Sequence, residues 1–176
     1  MKSNNKYNSL AGKFLIASPN MADVRFSECL IYMISDNEDG SMGIIVNKPA
    51  LNLSIKNIFE EISEDKILKP HEPIVYYGGP VDLNKGFIIH SNDYRSKEEY
   101  TKLENNLILS NNVSILKDIV SGKGPSKSIL AIGYAGWHSN QLVSELKENT
   151  WIEADLGTEI LFSKEASMKW KNALKS

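Results

Sequence analysis

A chain of 176 residues, 41% hydrophobic and 24% charged with a net charge of −2, is long enough for one compact domain that buries roughly 70% of the surface its unfolded form exposes. Lysines are scattered among acidic residues and Arg25 and Arg95 are the only arginines, so the one-sided basic face of a nucleic-acid binder is missing and bidentate phosphate or guanine recognition is disfavoured. One cysteine excludes a disulfide framework, no apolar run approaches the ~20 residues of a membrane span, and the polar, Asn-rich residues 1–9 lack a signal-peptide pattern, so a soluble cytoplasmic protein with one domain over residues 10–176 is expected.

Leu10 to Ala17 reads as a first strand, ended by Ser18, Pro19 and Asn20. Cys29 to Ser35 and Met42 to Asn47 are apolar, β-branched runs joined by Asp36 to Gly40, the composition of a hairpin with a longer loop. Cys29 sits inside the first run, with no His or second Cys nearby in sequence to activate it. From Ser54 the period changes: Ile55, Ile58, Phe59 and Ile62 fall on one helix face. Ile74 to Tyr77 and Gly86 to His90 return to strand character around a Gly78-Gly79-Pro80 turn. Ser96 with Glu99 resembles a capping box, so a short helix or a polar loop follows. Leu107 to Leu109 is a short strand, and Val113, Leu116, Ile119 and Val120 form a helical face stopping before Gly122. Ile129 to Tyr134 reads as the most buried strand and Asn140 to Glu148 as a helix. Trp151 to Ala154 and Glu159 to Phe162 read as a final strand pair. Ser163 is placed to cap a last helix, whose Trp170 and Leu174 pack on the core. Ile31, Ile44, Val46, Ile88 and Ile132 are the expected core. Irregular alternation of strands and helices with several hairpins points to an α+β fold on a bent, mixed, mostly antiparallel sheet.

Few segments carry the spacing of a chemical motif. Gly122 to Ser128 superficially resembles a phosphate loop, but Lys127 stands where a glycine belongs and the segment leads into a strand. Ser139 follows a strand and opens a helix, yet Trp137 and Gln141 occupy positions that a nucleophile elbow reserves for small residues, so Ser139 or Asn140 is read as a helix cap. His71, His90 and His138 show no metal-ligand spacing, and no metal or cofactor is expected; His90 reads as a strand-end histidine bonded to backbone. Trp137, with glycine before it and polar residues after it, reads as an exposed contact.

The segments Gly78-Gly79-Pro80-Val81 and Gly133-Tyr134-Ala135-Gly136-Trp137, with Gln141-Leu142, Glu145, Asn149 and Trp151, together with Gly12, Phe14, Pro19, Asp23, Gly86-Phe87, His90, Gly122, Gly124 and Pro125, resemble the YqgE/AlgH family of bacterial proteins from Leu10 to Leu174. The resemblance implies an α+β architecture whose partly barrel-like sheet is surrounded by helices, and it implies no reaction. It departs at His138-Ser139-Asn140, where the family typically carries Gly-Pro-Gly, and at Val143, where a glutamate is common.

The expected function is an interaction or regulatory role without catalysis, toward an unidentified protein or small-molecule partner. Its surface is expected where two glycine loops, Gly78 to Val81 and Gly133 to Gln141, converge, and includes Gly78, Gly79, Pro80, His90, Gly136, Trp137, His138, Gln141 and Glu145. The rival is small-molecule binding or hydrolysis at the same loops, with amides at Gly78, Gly79 and Gly136 holding an anion and His138, Glu145 or His90 moving protons. Transcriptional regulation ranks third, against the charge pattern.

Overall fold

The structure is a computed structural model that describes residues 8–55, 62, 67–68 and 71–176. Its apolar runs form strands β1 (Phe14–Ala17), β2 (Leu30–Asn37), β3 (Gly40–Ile45), β4 (Val75–Tyr77), β5 (Val81–Ser91), β6 (Thr101–Lys102), β7 (Leu107–Ser110), β8 (Ser128–His138) and β9 (Trp151–Ala154). The helices among the described residues are α1 (Val113–Val120), α2 (Gln141–Lys147), α3 (Glu159–Phe162) and α4 (Ala166–Leu174). Ile31, Ile44, Val46, Ile88 and Ile132 are all buried. The Ser54–Ile62 helix falls mostly outside the described residues, although Ile55 and Ile62 are both buried.

One sheet runs in the order β6, β7, β5, β8, β3, β2, β1, β9, with β4 also paired to β8. Every ladder is antiparallel except β4 with β8. The sheet curls into a half-barrel, and strand parity shows how. On β8, Ile129 and Ala131 face the same apolar cluster as Phe14, Tyr32, Ile44 and Phe87, which is the interior of the curl, covered by α3 and α4. Leu130 and Ile132 face outward beneath α1. Unbroken alternation would keep Ala135 and Trp137 inside, but it is Tyr134 that packs on the interior cluster while Ala135 and Trp137 join Leu15, Ile31 and Leu142 outside. Gly133, at φ +73°, is the point of the phase change, a bulge that bends the 11-residue strand β8. The result is an α+β fold with helices around a bent, mostly antiparallel sheet.

Three expected elements take other forms. The hairpin turn is tighter than its composition suggested: Asn37 pairs with Gly40, and the Asn37 side chain accepts a hydrogen bond from the Asp39 amide at 2.8 Å. Ser96 does not start a helix; its hydroxyl accepts from the Glu98 amide at 3.0 Å, and Thr101–Lys102 joins β7 as an edge strand. Glu159–Phe162 is the helix α3, not a strand, and Trp151–Ala154 pairs with β1 instead. Four apolar-rich residues are too few for periodicity to separate helix from strand. Burial of Leu161 and its carbonyl's bond to Lys169 fix the helical form.

Candidate functional site

The two glycine segments do converge, and what approaches each is the other. Leu130, Ala131 and Ile132 pair with β4 on one edge of β8 and with β5 on the opposite edge. The link Gly78-Gly79-Pro80 therefore has to cross the face of β8. Two ladder spacings amount to roughly 9–10 Å, and the four Cα–Cα steps from Tyr77 to Val81 reach about 14 Å at most, so the link is short, and its glycines lie against the strand. A methyl group on Gly78 would sit 2.3 Å from the Gly133 carbonyl oxygen; one on Gly79 would sit 2.1 Å from the Tyr134 carbonyl carbon, and one on Gly133 2.4 Å from the Gly79 oxygen. These glycines let the backbone pass over itself. Gly78, Gly79 and Gly133 are buried in this crossing, while Gly136 is exposed.

The segment Gly133 to Gln141 is mostly strand, since β8 continues to His138. The continuation brings Gly40 opposite His138 and Ser41 opposite Trp137. Trp137, read from sequence as exposed, is only 7% accessible. Its indole donates to Glu145 Oε2 at 2.7 Å, and the Trp151 indole donates to the same oxygen at 3.0 Å. Gln141 Nε2 donates to Glu145 Oε1 at 3.2 Å. The two indoles meet edge to face with centroids 6.1 Å apart, and Phe26 packs likewise on Trp151. One half-buried carboxylate thus ties β8, α2 and β9 together. Neither Ser139 nor Asn140 caps α2 by its side chain. Ser139 Oγ donates to the Glu38 carbonyl at 2.6 Å, Asn140 is left-handed at φ 67°, and Gln141 Oε1 accepts from the His138 amide at 3.0 Å. His138 is exposed beside this turn.

His90 lies apart, opposite Ser128, roughly 20 Å from Tyr134 along β8 at about 3.3 Å per residue. It is buried; its Nδ1 faces the Ser91 carbonyl at 2.8 Å and therefore carries the proton, which leaves Nε2 to accept from Ser110 Oγ at 3.1 Å. Burial holds its pKa below the ordinary imidazole value. A serine on a neutral imidazole resembles a nucleophile and its base, but Ser110 is paired with Ile88 on the sheet face that α1 covers. The cleft beside β6, about 530 Å³, is lined by Phe87, Leu109 and Ser110 among others, but Ser110 and His90 are each only 1% exposed. Cys29 is equally enclosed, and burial pushes its thiol up to about 11.

Sequence reading missed Lys169. It is 0% exposed, donates to the carbonyls of Val46 at 2.9 Å and Leu161 at 2.7 Å, and stands 3.4 Å from the Tyr76 hydroxyl. Burial lowers its pKa to about 8. Its signal was the i, i+3, i+7 set Ala166, Lys169 and Ala173, all buried, whereas Trp170 and Leu174 drew the eye. Among the described residues, no group of three His, Cys, Asp or Glu side chains is placed to hold a metal, and no helix is long and apolar enough to cross a membrane.

Comparison with known proteins places this geometry. A family model described as AlgH-like matches residues 14–176. A UPF0301 protein of Ruegeria pomeroyi is 40% identical over 168 residues, covering 94% of this chain and 90% of that protein. The solution structure of the AlgH protein from Pseudomonas aeruginosa is similar with a TM-score of 0.77 at 32% identity, covering 100% of this chain and 94% of that one. A crystal structure of a Corynebacterium diphtheriae protein shares the fold with a TM-score of 0.72 at 20% identity, over 94% and 85% of the two chains. With its crossing glycines, its two indoles on one carboxylate and a match over nearly its whole length, the chain belongs to the AlgH-like family.

Proposed function

We propose that this is a cytoplasmic interaction protein, one working unit over residues 10–176, that acts by docking a protein partner rather than by turning over a substrate. The observation that carries the reading is the display of apolar side chains at the start of β5, just after the crossing: Val81 is 36% and Leu83 53% exposed. Both lie on a stretch braced from below by the Gly78–Pro80 link, and a Leu83 methyl rests over Gly133. Opposite Val81 on β8 stands half-buried Tyr134. Apolar groups held rigidly next to backbone lose little entropy on docking, and a central apolar anchor with a polar rim is how protein interfaces are built. Trp137, Gln141 and Glu145 support this surface from behind. The hydrolytic rival finds less support, because the Gly78 amide is bonded to the Ile132 carbonyl at 2.7 Å and His90 is only 1% exposed.

The test is affinity capture from bacterial cytosol with the wild type and with Leu83→Asp, both checked by thermal melts. A specific partner retained by the wild type and lost by the equally stable variant is the expected result. Identical capture by both proteins rules out this surface.

A further inference from the structure

The turn Gly122–Ser128, which fails as a phosphate loop because it runs into β8, forms one wall of a cleft of about 500 Å³ at the end of that strand away from the crossing. Residues 71–74 and 162–164 form the other walls. At its base lie the buried Tyr76 and Ile129 with half-buried Phe162; His71, Lys127 and Lys164 are exposed around its lip. The His71 ring folds over the turn, with Nε2 3.0 Å from where a methyl on Gly122 would sit, and Gly122 itself is left-handed at φ +81°. The lining carries one acid, Glu72, against two lysines and a histidine.

A second, independent feature gives the base of the cleft a sign. Behind Tyr76 stands the Lys169 ammonium, 4.7 Å from the ring centroid and wholly buried. Its hydrogen-bond partners among the described residues are two carbonyls and a phenol, all neutral. A buried cation with neutral partners acts over a longer distance than an exposed one, because little water screens it. Aromatic and aliphatic side chains at the base, cations at the lip and a cation behind the base form a volume within the range of small-molecule sites.

We infer that this cleft binds a small organic anion, with a flat apolar body laid against Tyr76 and Phe162 and a carboxylate or phosphate turned toward Lys127 and Lys164. The site is separate from the Val81 and Leu83 surface, at the opposite end of β8, and stands or falls without it.

The test uses the full chain and three naphthalene probes: 1-naphthyl phosphate, 1-naphthoate and the neutral 1-naphthalenemethanol. Each is titrated by calorimetry and by amide chemical-shift mapping. Two exposed ion contacts correspond to roughly a tenfold preference for an anion over the alcohol. The expected result is that preference, with shifts centred on residues 122–128 and Tyr76, and its loss in Lys127→Glu/Lys164→Glu at unchanged melting temperature. Tighter binding of the phosphate assigns a phosphate-bearing ligand and tighter binding of the naphthoate a carboxylate; either supports the site. Equal affinity for anions and alcohol, a preference that survives the double charge reversal, shifts centred on the Phe87 cleft, or no binding by any probe at millimolar concentration overturns it.

Discussion

Glu145→Ala isolates the tie between β8, α2 and β9. The substitution leaves the Trp137 and Trp151 indole N–H groups, now 2.7 and 3.0 Å from Glu145 Oε2, without their acceptor. Each buried donor left unpaired costs about 1–3 kcal/mol. Because Glu145 is only half-buried, water recovers part of that loss, so the expected destabilisation is about 2–4 kcal/mol. Glu145→Gln keeps an acceptor oxygen and gives up the charge, and should lose roughly half as much. Urea unfolding followed by tryptophan fluorescence reads both, and each kcal/mol lowers the melting temperature by roughly 2–4 °C in a chain of this size. A double-mutant cycle with Trp151→Phe separates the hydrogen bond from general packing, since the second substitution should cost much less once the carboxylate is gone. An alanine variant within about 0.5 kcal/mol of wild type, or a cycle without coupling, would refute the claim that this carboxylate holds the two tryptophans.

Gly79→Ala puts a methyl 2.1 Å from the Tyr134 carbonyl carbon at a residue whose φ is +151°; the clash is with backbone, so a loss of about 3 kcal/mol or more is expected in denaturant unfolding, and a neutral result would mean the link can lift off β8. Lys169 has a folded pKa lowered to about 8 from 10.5, so between those values the unfolded chain holds more protons and stability rises with pH, by about 3 kcal/mol across the window. Lys169→Met should flatten that rise between about pH 8 and 10.5, and an unchanged slope would show that the ammonium is not the source. His90 is also lowered, so acidification below its unfolded value near 6.5 should cost stability that His90→Gln no longer loses; the check is the pH slope of the unfolding midpoint. Asn140, left-handed at φ 67°, should accept glycine within about 0.5 kcal/mol and resist valine by roughly 1–2 kcal/mol, with equal melts for both variants counting against a left-handed turn.

The strands were legible because apolar runs with turn residues at each end are long-range information written locally. Glu159–Phe162 was not, since four residues satisfy either period and the choice falls to Lys169, whose head reaches the Leu161 carbonyl from the next helix. Trp137 illustrates a subtler limit. Glycine before it and polar residues after it suggested a strand end, and the strand continues because β3 offers Gly40 to Gly43 as pairing partners. Which face the indole takes depends on the bulge at Gly133, which shifts the alternation by one residue and sends Trp137 outward to Glu145. A one-residue phase change cannot be seen in the alternation itself when the residues on both sides are apolar.

The glycines were correctly read as sites of close approach, but sequence spacing does not say what approaches. Here register decides: β8 is paired on both edges at Leu130 to Ile132, so the chain joining its two neighbours must cross it, and the space a ligand would need is taken by backbone. The same reasoning resolves the departure at His138-Ser139-Asn140. A glycine at the last of these positions serves a left-handed residue, and asparagine is among the few others that adopt one at low cost. With Asn140 left-handed, Ser139 bonded to the Glu38 carbonyl and Gln141 to the His138 amide, the turn into α2 is held without glycine or proline. His138, Ser139 and Asn140 are all exposed at this turn.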